Sequence, residues 1–293
     1  MEIETNSANR DYSSISPSAK ALLLLKGLTS IPFAREAAGL MVLPDIYKPD
    51  YENTDIGFWA RILHFESRYQ SIDQLLNDLP AKNILELSSG FSFRGLAAAK
   101  ERDVHYIDTD LDNVIKLKED FTAALKQAEK PLKGKLEILP LNALNKEAFR
   151  EITDRFDGEE IIIVNEGLLV YLDVKEKKEL LKIIHNILEQ HGGYWITADI
   201  YIKSEKLSAG LTMNDELSQF FVQHRIEENR FDSFEAAEAF FNDAGFVVDK
   251  EAVADYTKST ALSYLLKNST PDQRTKMSAA GRIRSTWRLK IRD

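Results

Sequence analysis

Apolar and polar positions follow two different periods through the middle of the chain. Short runs rich in Ile, Leu, Val and aromatic residues occur at Asn83–Leu87 (NILEL), Val104–Asp108 (VHYID), Leu136–Leu139 (LEIL) and Glu160–Asn165 (EIIIVN), and a fifth, Tyr194–Ile200 (YWITADI), follows Gly192-Gly193. Polar or turn residues bound each run, which predicts strands. The stretches between them repeat at helical spacing. In Val174–Gln190, for example, Leu180, Leu181, Ile184, Ile187 and Leu188 share one face with charges opposite. Strands alternating with helices predict right-handed βαβ crossovers and an α/β fold: a doubly wound, mainly parallel, Rossmann-like sheet covered on both faces.

The flanks read differently. Residues 17–80 lack strand patterns and read as helices, including Ser18–Gly27 and Phe58–Leu79, so a helical cap is expected over 1–80 ahead of a sheet domain over 81–293. Residues 203–243, polar and helical, form an expected insertion after the fifth strand. Phe246–Lys250 (FVVDK) predicts a sixth strand, and Arg284–Arg292, alternating around Trp287, Leu289 and Ile291, predicts a seventh at the sheet edge. Neither repeats nor low-complexity tracts interrupt the pattern, so one compact domain is expected.

Composition narrows the chemistry. With 293 residues, 44% of them hydrophobic and 10% aromatic, the chain can bury a large core. The absence of cysteine excludes disulfides, thiolate metal sites and a Cys nucleophile. A formal charge of −9 argues against nucleic-acid and anionic-membrane partners, both of which need a basic face. The charge is uneven: residues 267–293 hold 8 Lys or Arg against 2 Asp, which reads as the outward face of the last strand. With no apolar run long enough to span a membrane and no basic-then-apolar leader pattern, a soluble cytoplasmic protein is expected.

Ligands of open α/β sheets bind beyond the carboxyl ends of the strands. After the first strand comes Ser88-Ser89-Gly90-Phe91-Ser92-Phe93-Arg94, a small-residue turn feeding a helix, whose free N–H groups suit an anion. The dinucleotide fingerprint G-x-G-x-x-G is absent, which disfavours NAD. The second strand ends in Asp108-Thr109-Asp110, where one carboxylate can take ribose hydroxyls while the other caps the following helix. Asn142 can meet an adenine edge or simply close a turn. Glu166 emerges from the apolar run IIIV, where a carboxylate is costly to bury without a partner.

The order ILELSSGFSFR, IDTDLD, PLNAL and NEGLLVYL resembles the leucine carboxyl methyltransferase family, which includes polyketide O-methyltransferases and bacterial relatives. The likeness runs from about Ser16 to Gly193. Its most specific piece is Glu166–Leu172, close to the family's E-G-L-x-x-Y-L. The resemblance implies S-adenosylmethionine as cofactor, bound by Arg68 (in FESRYQSID), Ser88, Gly90, Arg94, Asp110, Asn142, Ala143 and Glu166. Two positions depart from the family pattern: Ser88 stands at the first Gly of its G-x-G, and Asn142 at the Asp of its D-L-R.

Methyl transfer to oxygen is then the expected activity, with a small-molecule acceptor. A carboxylate acceptor needs no general base, whereas a hydroxyl benefits from one. Of the five His residues, His64 and His224 are the two placed near a substrate pocket, while Phe58, Trp59, Phe65, Tyr69, Tyr171, Tyr201, Phe220 and Phe221 cluster around the lid. Tyr171, Tyr201 and His224 are the substrate-binding candidates, and no metal is expected. Two alternatives keep the same fold: methylation of a protein C-terminal carboxylate, and cofactor binding without turnover. Oligomeric state is left open by the sequence.

Overall fold

The structure, a computed structural model, describes residues 16–41, 55–127, 131–158, 160–203, 216–279 and 281–292. Parts of the expected cap (1–15 and 42–54) and of the expected insertion (204–215) lie outside the described residues. The strands are β1 (Asn83–Leu87), β2 (His105–Asp110), β3 (Lys135–Pro140), β4 (Ile161–Asn165), β5 (Gly193–Tyr201), β6 (Phe246–Glu251) and β7 (Arg284–Ile291). They form one sheet in the order β3-β2-β1-β4-β5-β7-β6, parallel except for β7, which runs antiparallel to β5 and β6. This order and direction define the class I methyltransferase fold.

Alternate residues of the strands feed opposite faces. Ile161 and Ile163 of β4 pack with α6 (Lys146–Thr153), α7 (Val174–His191) and α9 (Phe234–Asp243). Ile162 and Val164 join α3 (Ile56–Asn77) and α4 (Arg94–Glu101) on the other face. That is why the run IIIV is apolar throughout: a central parallel strand is buried on both sides. On the second face, α1 (Ser16–Lys26), α2 (Ala34–Leu40) and α5 (Asp112–Gln127) extend the core. Next to them, α8 (Glu216–Gln223) and α10 (Thr260–Asn268) pack against α1 and α3. A last helix, α11 (Pro271–Ala279), precedes β7.

Two local devices set the register around the site. The first is a reciprocal capping box at the start of α7, where Asp173 accepts from the Glu176 N–H at 2.9 Å and Glu176 accepts from the Asp173 N–H at 2.9 Å. The second is Gly193, with φ +102°, where a Cβ would stand 2.1 Å from the Ile161 carbonyl oxygen; the close approach of β5 to β4 requires glycine.

The seventh strand corrects two expectations. It is not at the edge but between β5 and β6, and the edges are β3 and β6. Period-two alternation reports which faces are buried and says nothing about lateral position, so the pattern could not locate the strand. Its basic face is also not simply outward. Arg284 donates to Thr286 Oγ1 at 2.8 Å and reaches Ser71 Oγ of α3 at 3.4 Å, while Arg288 lies over the Tyr194 ring and pairs with Asp249 at 2.6 Å.

Candidate functional site

The carboxyl ends of β1, β2, β4 and β5 open into a cavity of about 590 Å³, within the usual range for a small-molecule site. Its floor is the turn after β1. Ser88 (φ +49°) and Gly90 (φ +50°) both sit in the left-handed region, and Ser89 accepts from the buried Lys118 ammonium at 2.7 Å. Asp110 locks the turn from the end of β2: its two oxygens accept the Gly90 and Leu111 N–H groups, each at 2.7 Å. Burial raises the Asp110 pKa and these two backbone bonds pull it back down. Each oxygen keeps a lone pair, so Asp110 can still receive hydroxyls from the cavity it lines. Asp108 does something else. It is buried 3.1 Å from Lys118, with its pKa pushed up to about 6 by burial against that cation's pull.

The wall over the β4 end is built from charge. Glu166 lies 2.6 Å from Lys26 Nζ, 3.1 Å from Arg68 Nε and 3.3 Å from Arg94 Nη2. Burial by itself would raise the carboxyl pKa, but the three cations outweigh it and hold the group well below the usual carboxylate range. Burial works against the Arg68 cation too, and Tyr201, Glu166 and Asp199 overcome it. Lys26 is lowered by burial and restrained by Glu166. Arg94 is balanced separately by Glu86 at 2.6 Å and Asp73 at 2.7 Å. The three cations are thus matched by three carboxylates, and of these Glu166 is the one on the cavity wall, where Lys26 and Arg68 share it.

A buried carboxylate shapes this wall from behind. Asp199, in β5, accepts from the N–H groups of Gly167, Leu168 and Leu169 at 2.7, 2.7 and 3.0 Å, and from Asn165 Nδ2 at 2.7 Å. These bonds hold the turn that presents Glu166, and Asn165 is fixed in turn by Trp195 Nε1 at 2.7 Å. Gly167, with φ +86°, brings the backbone against the Arg68 guanidinium.

The cavity brings together most of the residues singled out by sequence: Arg68, Ser88, Gly90, Asp110, Asn142, Ala143, Glu166, Tyr171 and Tyr201 all line it. Asn142 closes a turn through its Oδ1, which accepts from Leu144 N–H at 3.0 Å, and that leaves its Nδ2 as a donor. Two expected residues lie elsewhere. Arg94 stands behind Glu166, stacked over Tyr69 at 4.0 Å, and is not among the lining residues. His224 packs on Phe220 at 4.2 Å outside the lining. Of the lid aromatics, Phe65, Tyr171, Tyr201 and Phe221 line the cavity, while Phe58, Trp59, Tyr69 and Phe220 do not. Lys26 was missed, although a lysine ending the run Ala21–Leu25 is a signal of its own. Asp199, inside the fifth strand's apolar run, was missed as well.

No known family profile matches the chain, and no curated protein matches its sequence. Solved structures are similar at low identity. Magnesium protoporphyrin IX methyltransferase from Synechocystis PCC 6803, with bound SAH, is 9% identical over 84% of this chain and 90% of that one, with a TM-score of 0.48. The mitomycin 7-O-methyltransferase MmcR is 10% identical over 80% of this chain and 57% of its own, at 0.46. The plantazolicin methyltransferase BamL is 12% identical over 96% and 99%, at 0.43. With likenesses this distant, the site's chemistry rests on its own geometry. No helix among the described residues is long and apolar enough to cross a membrane.

Proposed function

We propose that this protein is an S-adenosylmethionine-dependent O-methyltransferase of the leucine carboxyl methyltransferase type, acting on a hydroxyl or carboxylate of a small molecule. The observation that carries the reading is that Asp110 and the Lys26–Arg68–Glu166 wall line one cavity. Asp110 suits ribose hydroxyls, and the N–H donors that Lys26 and Arg68 keep beyond Glu166 and Tyr201 suit a carboxylate. Asn142, whose Nδ2 is left as a donor, and Ala143 line the same cavity and suit an adenine edge. Glu166 Oε2, which Arg94 holds at 3.3 Å, has a lone pair left for an ammonium group. Gly90, with φ +50° and no side chain, suits close approach of a ligand to the backbone of the turn Ser88–Gly90. The donor set thus matches the ribose, base and amino-acid parts of the cofactor.

Bound S-adenosylmethionine supplies a methyl carbon on a sulfonium, open to in-line displacement by oxygen. The chain's part is to align the acceptor and exclude water. Lys26, Arg68 and Glu166 anchor one end, Asp110 the middle, and Phe65, Tyr171 and Phe221 give the remaining wall an apolar surface.

Isothermal titration with S-adenosylmethionine and S-adenosylhomocysteine tests this. Binding is expected, with Arg68→Ala and Asp110→Ala each weakening it about 10- to 100-fold, the worth of one charged hydrogen bond. Absence of binding at millimolar ligand would overturn the reading. Binding without turnover on any oxygen acceptor would favour the non-catalytic alternative.

A further inference from the structure

We infer that the methyl acceptor is a phenol or enol, and that Tyr201 and His64 take up its proton. The inference rests on the methyltransferase reading. Tyr201 is the last residue of β5, and His64 lies one turn before Arg68 on α3. The Tyr201 hydroxyl is 2.8 Å from His64 Nε2 and 3.4 Å from Arg68 Nη1, and all three residues line the cavity.

Counting bonds at that hydroxyl gives its direction. Arg68 can only donate, so it occupies one lone pair of the phenolic oxygen. With the His64 proton on Nδ1, the tautomer this proposal takes, the hydroxyl proton goes to Nε2 and the second lone pair is left for a donor from the cavity. An acceptor O–H fits that position. His64 is kept neutral, as a proton acceptor must be: burial lowers its pKa well below 6.5, and Arg284, Arg68 and Arg230 lower it further against an opposing pull from Glu166. It is the one histidine on the cavity wall among the described residues.

Two further arginines of the wall are already matched by carboxylates. Arg225 pairs with Glu228, and Arg230 pairs with Glu227 at 2.5 Å. A carboxylate acceptor, already ionised, would leave the base idle. Acidity then selects among hydroxyls. A phenol ionises near pH ~10, within reach of an imidazole while methyl transfer proceeds, whereas an aliphatic hydroxyl resembles water at ~16. Phe65, Tyr171 and Phe221 offer flat apolar surface to a ring.

The step balances. As the acceptor oxygen bonds to the methyl carbon, the carbon–sulfur bond breaks and its electron pair stays on sulfur. The acceptor proton passes to Tyr201 Oη, whose own proton passes to His64 Nε2. The site starts with a sulfonium and a neutral imidazole and ends with a thioether and an imidazolium, so its net charge is unchanged.

The test uses the full chain with a panel of monocyclic and bicyclic phenols and the aryl carboxylic acids of the same ring systems. S-adenosylhomocysteine release is expected with phenols and not with the acids. Tyr201→Phe should lower kcat on the phenols about 100-fold or more. It should also weaken their binding to the S-adenosylhomocysteine complex about 5-fold. Its residual rate should climb about tenfold per pH unit up to the probe's own ionisation, because the probe then loses its proton unaided; a merely structural tyrosine would not produce that slope. His64→Gln should behave likewise. Turnover of the acids alone, turnover of neither class, or Tyr201→Phe retaining over about a third of kcat would overturn the inference and spare the methyltransferase reading. Failure of the wild type to bind cofactor would overturn both.

Discussion

Lys26 and Glu166 are 140 residues apart in sequence, yet the lysine ammonium donates to the glutamate at 2.6 Å. The bond ties the end of α1 to the end of β4 and closes one wall of the cavity. Its strength is set by company as much as by distance. Arg68 and Arg94 reach the same carboxylate, so Glu166 is the anion on which three buried cations converge. Such a cluster is stable while every member is present, because each buried charge is compensated by the others.

Glu166→Gln removes that compensation while keeping the shape. Arg94 retains Glu86 and Asp73, but Lys26 and Arg68 lose their shared anion. The expected loss is about 3–5 kcal/mol, read from the urea midpoint at constant m-value. The pH dependence has a definite sign. The folded-state pKa of Glu166 is depressed, so its contribution is present above the ordinary carboxylate range and is lost as pH falls through that range toward the folded value. The variant should not show that part of the acid destabilisation.

Asp199→Asn tests the support behind the wall. An amide has one accepting oxygen where the carboxylate has two, so the N–H groups of Gly167, Leu168 and Leu169 cannot all stay satisfied. A loss of about 3 kcal/mol or more in urea unfolding is expected, with weaker cofactor binding in any protein that remains folded. An unchanged midpoint would show that the turn holds itself.

His64 predicts a pH effect at milder values. Its folded pKa lies well below 6.5, so as pH falls through 6.5 the unfolded chain takes up the proton first and stability drops, by at most about 1.4 kcal/mol per pH unit. Asp108, raised to about 6, acts with the opposite sign in an overlapping window, favouring the folded state as pH falls. The measurable quantity is therefore the difference between the wild type and His64→Gln. The variant should lose less stability between pH 7 and pH 5.5.

Two glycine substitutions should separate strain from collision. Gly158→Ala meets no atom within 4 Å and bears only its positive φ of +43°, an expected cost of about 1–2 kcal/mol. Gly193→Ala adds a Cβ 2.1 Å from the Ile161 carbonyl oxygen and must part β4 from β5. Its loss in thermal or urea unfolding should exceed that of Gly158→Ala severalfold, up to failure to fold.

The sequence by itself determined the alternation of strand and helix, because burial on one or both faces writes period 2, period 3.6 or an unbroken apolar run directly into the chain. It also determined which strand ends meet at one cavity: Asp110 ends β2, Asn142 and Glu166 follow β3 and β4, and a parallel sheet gathers such ends at one edge whatever the details. Lateral position and pairing were decided by the tertiary structure. β7 inserts between β5 and β6, and alternation could not foretell it because it carries no record of neighbours. Arg94 and Arg68 look equivalent in sequence, but one stands behind Glu166 and the other on the cavity wall, since Asp73 and Glu86 draw Arg94 inward. Lys26, Asp199 and the His64–Tyr201 bond belong to the same class. Each is a charge or proton partner across more than 30 residues, and such partnership depends on the low dielectric and close approach that folding creates.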